Sequence, residues 1–316
     1  MYTRPIGTSD IHVAPLMLGG NVFGWTIDAP TSFAVLDAFV DHGLNFIDTA
    51  NIYSVWIPGH QGGESESIIG EWFKRSGKRD KVVIATKIGV KMGDGGEGLS
   101  KEYILKEVEN SLRRLQTDVI DLYQSHTDDE KTPLDETLEA YHQLITQGKV
   151  KLIGASNYSG ARVAEAMKVA EAKSLTPYQT LQPEYNLYSR EKFETDLQPV
   201  AEKYGLDVIP YFSLASGFLT GKYKTLEDIK GANREGALAK YFDERGTKIL
   251  KALEEVSEET GATQAAISLA WLAAQPTILA PIASATSVSQ LEDLVKAVEL
   301  RLPDAALEKL TAASAY

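Results

Sequence analysis

One complete strand–helix–strand unit lies between residues 82 and 125, VVIATKIGVKMGDGGEGLSKEYILKEVENSLRRLQTDVIDLYQS. Its ends, Val82–Lys87 and Val119–Ser125, are short apolar runs rich in branched side chains, which favour β-strands. Between them, Lys101–Leu115 has apolar residues at helical spacing. The glycine-rich run at 93–98 lacks the spacing and the following Lys of a nucleotide-binding loop, so it indicates an ordinary loop. This order predicts two parallel strands joined by a crossover helix.

The same alternation continues along the chain in both directions. The other strand candidates are Pro15–Leu18, Asn45–Asp48, Val150–Ser156, Thr180–Pro183, Asp207–Tyr211 and Thr277–Pro281. The other helix candidates are Ser32–His42, Glu64–Arg75, Leu134–Gln147, Ala161–Lys173, Phe193–Tyr204, Asp243–Thr260, Thr263–Ala274, Ser289–Val298 and Asp304–Ala313. Eight strands in strict alternation with helices favour an α/β fold, the closed (β/α)8 TIM barrel, over a doubly wound sheet. No linker rich in Pro, Gly or Ser divides the chain, so residues 1–316 are predicted to form a single domain.

The composition limits the classes of function. The 316 residues are 43% hydrophobic and 24% charged, which is typical of a globular protein with a large core. The net charge of −12 disfavours nucleic acids and anionic membrane surfaces, since both are negatively charged. The absence of cysteine excludes disulfides and thiolate chemistry, and no metal site is predicted. Because no signal peptide or long apolar run is evident, the protein is expected to be cytoplasmic.

Polar side chains recur at the carboxyl ends of the predicted strands. Asp48 ends the second strand and Tyr53 follows in its loop; Lys87 ends the third strand and His126 follows the fourth. In (β/α)8 barrels the active site is formed by these strand ends and the loops after them. Each residue alone has an ordinary explanation, such as a turn cap for Asp48 or a structural role for His126. Four ionisable groups at one end of one barrel favour a catalytic site.

These four groups suit the reduction of a carbonyl group. Hydride addition develops negative charge on the carbonyl oxygen, to which Tyr53 can donate a proton. An isolated tyrosine, with a pKa of about 10, is a weak acid at neutral pH. A Lys87 ammonium held by Asp48 is therefore expected to lower the pKa of Tyr53. His126 is expected to orient the carbonyl oxygen through a hydrogen bond.

Several motifs make the sequence resemble the aldo-keto reductases over nearly its whole length. They are LGGNVFG at 18–24, NFIDTANIY at 45–53, ATK at 85–87, DLYQSH at 121–126, GKVKLIGASN at 148–157 and LQPEYNL at 181–187. The last of these, together with LTGK at 219–222, is most similar to a bacterial branch related to potassium-channel β subunits. The resemblance implies a (β/α)8 barrel that transfers hydride between a nicotinamide cofactor and a small carbonyl or alcohol substrate.

The resemblance also implies roles for individual residues. The catalytic residues would be Asp48, Tyr53, Lys87 and His126. The nicotinamide would be held by Ser156, Asn157 and Gln182, with Tyr211 stacked on its ring. The pyrophosphate would be wrapped by Ser213, Leu214, Gly217, Leu219, Gly221 and Lys222. Ser284, Gln290 and Asp293 would lie near the adenosine.

Two departures from the family pattern bear on the cofactor. Many relatives have a Lys and an Arg around the 2′-phosphate of NADP, where this chain has Ser284 and Gln290. Other relatives have an Arg in place of Ser216. Fewer fixed cations weaken discrimination in favour of a phosphate. NADP(H) is the predicted cofactor, and NAD(H) is the open alternative.

The substrate pocket is predicted from aromatic residues near Tyr53. Phe23, Trp25 and Trp56 are candidate wall residues, and ordinary loop packing is an equal explanation for them. A small carbonyl or alcohol is the expected partner. The physiological substrate, the favoured direction and the formation of a homo-oligomer stay open.

Two other functions remain as alternatives. A Schiff-base aldolase would use Lys87 as its nucleophile in the same barrel, but it would leave Asp48, Tyr53 and His126 unexplained. A regulatory module would bind NADP with little turnover, as the resemblance to channel β subunits allows. Cofactor binding combined with aldehyde turnover would separate the reductase from both.

Overall fold

The computed structural model describes residues 2–232 and 235–316. An antiparallel hairpin of β1 (Arg4–Pro5) and β2 (His12–Val13) precedes the main sheet. The main strands are β3 (Met17–Gly19), β4 (Phe46–Asp48), β5 (Val83–Ile88), β6 (Ile120–Ser125), β7 (Val150–Ser156), β8 (Thr180–Gln182), β9 (Asp207–Val208) and β10 (Ile282–Ala283).

Helices connect these strands and cover the outside of the sheet. They are α1 (Ala29–Asp41), α2 (Glu64–Ser76), α3 (Lys101–Leu115), α4 (Leu134–Thr146), α5 (Gly160–Lys173), α6 (Gln198–Tyr204), α7 (Glu235–Leu238), α8 (Glu244–Thr260), α9 (Gln264–Ala273), α10 (Val288–Glu299) and α11 (Asp304–Ala313). A π-helical turn at Phe193–Leu197 leads into α6. None of the helices in the described part of the chain is long and apolar enough to cross a membrane.

The eight main strands are parallel and form a (β/α)8 barrel, which confirms the predicted fold. Their order is β10, β3, β4, β5, β6, β7, β8 and β9. Backbone hydrogen bonds join the two ends of this order. Val208 N donates to Thr277 O at 2.9 Å, and Leu279 N donates to Val208 O at 2.8 Å. Ile282 N also donates to Pro210 O at 2.9 Å.

The last two strands differ from their predicted bounds. The ladder with β3 begins at Ile282, after the predicted strand Thr277–Pro281 has ended. Pro281 has no N–H to give to a ladder, and its carbonyl accepts Met17 N at 3.0 Å. The seventh strand ends at Val208 rather than Tyr211, and Pro210 has no N–H to donate towards β10. On the β8 side, Ile209 N and Tyr211 N still donate to Leu181 O at 2.8 Å and to Pro183 O at 2.9 Å.

Alternation along the strands directs the polar residues into the barrel. On β5, Val83 and Ala85 belong to the inner apolar cluster, whereas Ile84 packs in the layer between strands and helices. Lys87 continues the inward register of Val83 and Ala85. Phe46 lies in the same inner cluster, and Asp48 follows it two positions later. The alternation of side chains along β4 and β5 thus places the Asp48 carboxylate and the Lys87 ammonium inside the carboxyl end of the barrel.

The opposite end of the barrel holds a polar cavity of about 700 Å3 whose charges pair with each other. Asp121 accepts hydrogen bonds from Arg79 at 2.9 Å and from Ile84 N at 2.9 Å, and it pairs with Lys151 at 2.7 Å. These contacts satisfy a nearly buried carboxylate and stabilise the closed end. The predicted catalytic residues lie at the other end.

Candidate active site

Lys87 joins three groups at the mouth of the barrel. Its Nζ donates hydrogen bonds to Asp48 Oδ2 at 2.7 Å, to Thr49 O at 2.9 Å and to Tyr53 Oη at 3.1 Å. The Lys87 side chain is fully buried, and Asp48 is 3% exposed. Because three acceptors surround one ammonium, its position relative to the phenol is defined.

The charge on Lys87 follows from its partners. Burial favours the neutral amine, but the electrostatic and hydrogen-bond interactions with Asp48 and Tyr53, led by the charge of Asp48, outweigh burial and raise the pKa of Lys87. Burial also raises the pKa of Asp48, against the opposing effects of Lys87 and of a hydrogen bond from Gln182. Lys87 is therefore a cation at neutral pH.

The pKa of Tyr53 lies above its usual value, although Lys87 lowers it as predicted. Burial raises this pKa, the Lys87 charge lowers it, and the Asp48 charge raises it again. The ammonium acts in the predicted direction, but the loss of solvent around the phenol is the larger effect. Tyr53 is therefore a neutral phenol at neutral pH, which is the form that donates a proton.

His126 lies beside the ring of Tyr53. The two ring centroids are 5.9 Å apart with planes at 78°. The Nδ1 atom is buried and has no hydrogen-bond partner within residues 2–232 and 235–316. Burial, and then the charge of Lys87, hold the pKa of His126 well below its usual value. A neutral imidazole carries one N–H donor, so His126 can bind an oxygen near Tyr53 without giving up a proton.

The predicted nicotinamide-binding residues form one hydrogen-bonded group next to this cluster. Tyr211 Oη donates to Asn157 Oδ1 at 2.8 Å, and Asn157 Nδ2 donates to His126 O at 2.8 Å. Ser156 Oγ donates to Gln182 O at 2.7 Å. Asn157 is exposed and has a left-handed backbone with φ of 56°. The structure therefore brings residues from three strands to the same side of the barrel mouth.

Gln182 has a partner that the sequence did not indicate. Its Nε2 donates to Asp48 Oδ1 at 3.0 Å, and the residue is 3% exposed. The Gln182 amide thus binds the same carboxylate that binds Lys87. Gln182 fixes the second oxygen of Asp48.

The loop after β9 has an unusual backbone. Phe212, Ala215 and Ser216 have φ values of 52°, 47° and 59°, and Gly217 has a φ of 98°. Left-handed backbone is uncommon outside glycine and concentrates at functional sites. Backbone N–H groups brought together by such turns form concave sites for anions. The geometry fits the predicted binding of a pyrophosphate by backbone groups.

Side chains in this loop divide into buried and exposed ones. Ser213 and Leu219 are buried, and Ser213 Oγ donates to Pro210 O at 3.0 Å. Leu214 and Gly221 are half-buried. Lys222 is exposed, with its Nζ 4.5 Å from the centre of the Tyr223 ring. Lys222 is therefore the cation that this loop presents to solvent next to its left-handed turns.

The predicted adenosine-binding residues lie near the surface after β10. Ser284 Oγ donates to Asn21 Oδ1 at 2.7 Å, which connects the eighth barrel strand with the loop after the first. Gln290 is exposed in the first turn of α10. Asp293 pairs with Lys296 at 2.7 Å. A 2′-phosphate at this place would meet hydroxyl and amide groups in addition to a lysine that is already paired.

Trp56 stands beside Tyr53, and Trp25 packs against Trp56. Trp56 is 44% exposed, and its ring lies edge-on to Tyr53 at 5.9 Å and to Trp25 at 5.4 Å. Phe23 is fully buried in the core, and only its carbonyl reaches this region, where it accepts Ser54 Oγ at 3.1 Å. The Phe23 ring packs inside the protein and has no exposed surface at the barrel mouth, unlike Trp56.

A buried ionic cluster behind β5 was not predicted. Glu66 is fully buried and accepts hydrogen bonds from Thr86 Oγ1 and Arg114 Nε, each at 2.6 Å. Arg114 also binds Glu107 at 2.6 Å. Since Thr86 precedes Lys87, this cluster supports the lysine strand from the helix side. The available signal was a carboxylate three residues before Ile69, on the apolar face of α2.

Comparison with known proteins agrees with this geometry. The model of the aldo/keto reductase family matches residues 15–315. The chain is 38% identical over 313 residues to the uncharacterized oxidoreductase YrpG of Bacillus subtilis, covering 96% of this chain and 93% of that one. It is 36% identical over 295 residues to the aldo-keto reductase YhdN of the same organism, covering 92% and 85%.

A plant relative is named for a different role. The chain is 32% identical over 314 residues to a probable voltage-gated potassium channel subunit beta of Arabidopsis thaliana, covering 95% and 92%. The family and the bacterial relatives support an NAD(P)H oxidoreductase, and aldo-keto reductases act on small carbonyl compounds. The match over nearly the whole chain shows that this protein belongs to the aldo/keto reductase family.

Proposed function

We propose that the protein, acting as a single domain, reduces aldehydes or ketones to alcohols, or catalyses the reverse oxidation, with NADP(H) and with Tyr53 as general acid and base. The 3.1 Å hydrogen bond from Lys87 Nζ to Tyr53 Oη carries this proposal. It sets a buried cation next to the phenol, where charge would develop when the phenol loses its proton.

The barrel mouth fits a nicotinamide dinucleotide. His126 Nδ1 is a buried polar atom that no described residue satisfies, and Asn157 presents an exposed amide nearby. The left-handed turns around Ser216 would receive the pyrophosphate through backbone N–H groups. Lys222 would add a positive charge for the phosphates. The bound cofactor would supply the hydride, and Asn157 with Tyr211 would hold its nicotinamide.

The proposed proton transfer uses the side chains described above. In reduction, neutral Tyr53 donates its proton to the carbonyl oxygen as negative charge develops there. The Lys87 cation stabilises the phenolate that remains. Neutral His126 donates a hydrogen bond to the same oxygen and orients it. In oxidation the phenolate accepts the proton of the alcohol, so the same residues serve both directions.

A cofactor titration tests this proposal first. NADPH and NADH would be added separately to the purified protein, and quenching of tryptophan fluorescence would report binding. We expect NADPH to bind more tightly than NADH. Equal binding of the two would still support an oxidoreductase, but the cofactor would then be NAD(H) or either nucleotide. Binding of neither would overturn the proposal.

Lys222 provides a matched test of the phosphate contact. Lys222 is proposed to reach the 2′-phosphate as well as the pyrophosphate, so we expect Lys222→Ala to weaken the binding of NADPH more than that of NADH, which has no 2′-phosphate. Lys230 lies in the same segment of the chain and pairs with Glu227 at 2.6 Å, so Lys230→Ala serves as the control. If Lys222→Ala weakens the binding of both cofactors equally, Lys222 contacts the pyrophosphate and not the 2′-phosphate.

Turnover separates the reductase from a regulatory module. The relative named as a probable potassium channel subunit beta, at 32% identity, favours the module as a second candidate. A panel of aldehydes would be supplied with NADPH, and the loss of NADPH absorbance would be followed. Reduction of several aldehydes would support the enzyme. Tight NADPH binding with no reduction or oxidation would support the module.

The charge of Lys87 argues against the Schiff-base aldolase. A lysine nucleophile needs a neutral amine and usually has a lowered pKa. Here the electrostatic and hydrogen-bond interactions with Asp48 and Tyr53 outweigh burial and raise the pKa of Lys87. Borohydride trapping of a carbonyl substrate on Lys87 would overturn this argument, and we expect no adduct.

A further inference from the structure

The loop that follows Tyr53 is attached to the start of α2 by one carboxylate. Glu64 is the first residue of α2, and its Oε1 accepts Gln61 N at 2.9 Å. Its Oε2 accepts Ser54 N at 3.3 Å. The two amides lie at opposite ends of the loop that carries Trp56. Glu64 thereby closes this loop on itself.

The carbonyl of the same peptide group is bound by backbone amides at the start of α2. Tyr53 O accepts Gly63 N at 2.9 Å and Ser65 N at 3.4 Å. Thus the carbonyl of Tyr53 and the amide of Ser54 are both hydrogen-bonded to residues 63–65. The backbone from which the Tyr53 side chain extends is therefore held by the beginning of one helix.

The close approach of the loop to the core depends on two glycines. A Cβ on Gly62 would lie 2.8 Å from Asn51 O, and a Cβ on Gly63 would collide with the Arg114 side chain. Both glycines also have positive φ values, 94° and 90°. Without a side chain at either position, the residues before α2 can lie against Asn51 and Arg114.

We propose that Glu64 is a positioning residue, whose carboxylate sets the position of Tyr53 relative to Lys87 and the position of Trp56 beside the Tyr53 ring. The inference rests on the proposed function of Tyr53. An acidic residue in a first helical turn ordinarily stabilises the helix through its dipole. Here both oxygens of Glu64 bind loop amides, so its role extends to the loop that begins next to the catalytic phenol.

The test compares Glu64→Gln with Glu71→Gln. The amide of a glutamine has one acceptor oxygen, so Glu64→Gln can keep at most one of the two loop contacts well. Glu71 is exposed on the same helix, and Glu71→Gln makes the same charge change away from the loop. We expect kcat for aldehyde reduction to fall roughly 10- to 100-fold in Glu64→Gln, as for other small misplacements of reacting groups. We expect Kd for NADPH to stay unchanged in Glu64→Gln. In Glu71→Gln we expect both kcat and Kd for NADPH to stay unchanged.

Glu64→Asp tests the length of the side chain, because it leaves the charge unchanged. The aspartate keeps the carboxylate but is one methylene shorter, so it reaches fewer of the two amides. We expect its kcat to lie between those of the wild type and Glu64→Gln. A wild-type kcat in both variants would overturn the inference.

Amide hydrogen exchange decides the inference independently of turnover. We expect the amides of Ser54 and Gln61 to exchange faster in Glu64→Gln, while amides of the barrel strands keep their protection. Unchanged exchange at both amides would overturn the inference. So would a loss of kcat that occurs together with loss of NADPH binding and of strand protection, since that result means general destabilisation.

The two proposals can fail separately. If the wild type binds cofactor and reduces no aldehyde, the proposed function falls, and the exchange rates of Ser54 and Gln61 still decide whether Glu64 holds the loop. If the wild type reduces aldehydes and Glu64→Gln reduces them equally well, the proposed function stands and the role of Glu64 falls.

Discussion

Gln182 Nε2 lies 3.0 Å from Asp48 Oδ1 and donates a hydrogen bond to it, while Lys87 holds Asp48 Oδ2 at 2.7 Å. Both oxygens of a buried carboxylate are thus occupied by donors from two other strands. This arrangement stabilises the charged form of Asp48 beside the lysine cation. Tyr53 is then the member of the cluster that we propose exchanges a proton with the substrate.

Replacement of Tyr53 by Phe removes the proposed proton donor. We expect kcat for aldehyde reduction to fall about 100- to 10,000-fold, the range for loss of a general acid. The cofactor is proposed to contact other residues, so Kd for NADPH should stay within about twofold of the wild type. Steady-state kinetics and fluorescence titration measure the two effects. Retention of most of the activity would show that another group donates the proton.

Replacement of Lys87 by Met tests the direction of its effect on Tyr53. Burial raises the pKa of Tyr53 and the Lys87 charge lowers it, so loss of the charge raises that pKa further. Alcohol oxidation needs the phenolate, which exists above this pKa. We therefore expect very low turnover, with the remaining oxidation rate rising at higher pH than in the wild type.

The pH–rate profile for oxidation measures this shift. Lys91, an exposed lysine shortly after the same strand, supplies the control variant Lys91→Met. An unchanged profile in Lys87→Met would mean that the lysine does not act on the phenol. A parallel shift in Lys91→Met would mean that overall charge, rather than the buried contact, controls the pKa of Tyr53.

Trp56 is expected to affect substrate binding more than chemistry. Its ring is 44% exposed and contacts both Tyr53 and Trp25 edge-on. We expect Trp56→Ala to raise KM for an aromatic aldehyde roughly 2- to 10-fold, which corresponds to the loss of one aromatic contact. KM for acetaldehyde should change little in Trp56→Ala. Trp56→Phe keeps an aromatic ring, so its KM for the aromatic aldehyde should stay close to that of the wild type. Equal changes for both aldehydes would favour loop packing as the role of Trp56.

Gly70 is expected to contribute to stability through close packing of α2 on α3. A Cβ at this position would overlap the carbonyl oxygen of Arg114. We expect Gly70→Ala to lower the free energy of unfolding by about 1–3 kcal/mol, the usual cost of overpacking. Gly236 lies in α7 with no neighbour within 4 Å of an added Cβ, so Gly236→Ala should be neutral or stabilise slightly. Urea unfolding measures both, and equal effects would contradict this account.

Local patterns predicted the order of the eight barrel strands and of the main helices, but neither the β1–β2 hairpin nor α7. Apolar runs and helical periodicity predicted eight strand–helix units, and glycines such as Gly205 and Gly261 end α6 and α8 in the left-handed conformation. The seventh and eighth strands have other bounds than predicted, near Pro210 and Pro281, and proline has no N–H to donate to a ladder.

The chain alone was also sufficient to nominate Asp48, Tyr53, Lys87 and His126 as neighbours. Strand alternation and the common direction of parallel strands bring residues at strand ends together, whatever their separation along the chain. The hydrogen bonds from Lys87 to Asp48 and Tyr53 agree with that expectation. Their catalytic roles remain a proposal.

Only the tertiary structure decided how these groups behave. Burial raises the pKa of Tyr53 despite Lys87, the Gln182 amide binds a carboxylate 134 residues away, and the ring of Phe23 lies inside the core. Each outcome depends on how much solvent the assembled barrel excludes and on which distant segment supplies the nearest partner. Desolvation and long-range contacts arise from the packing of the whole chain, so no local pattern of residues carries them.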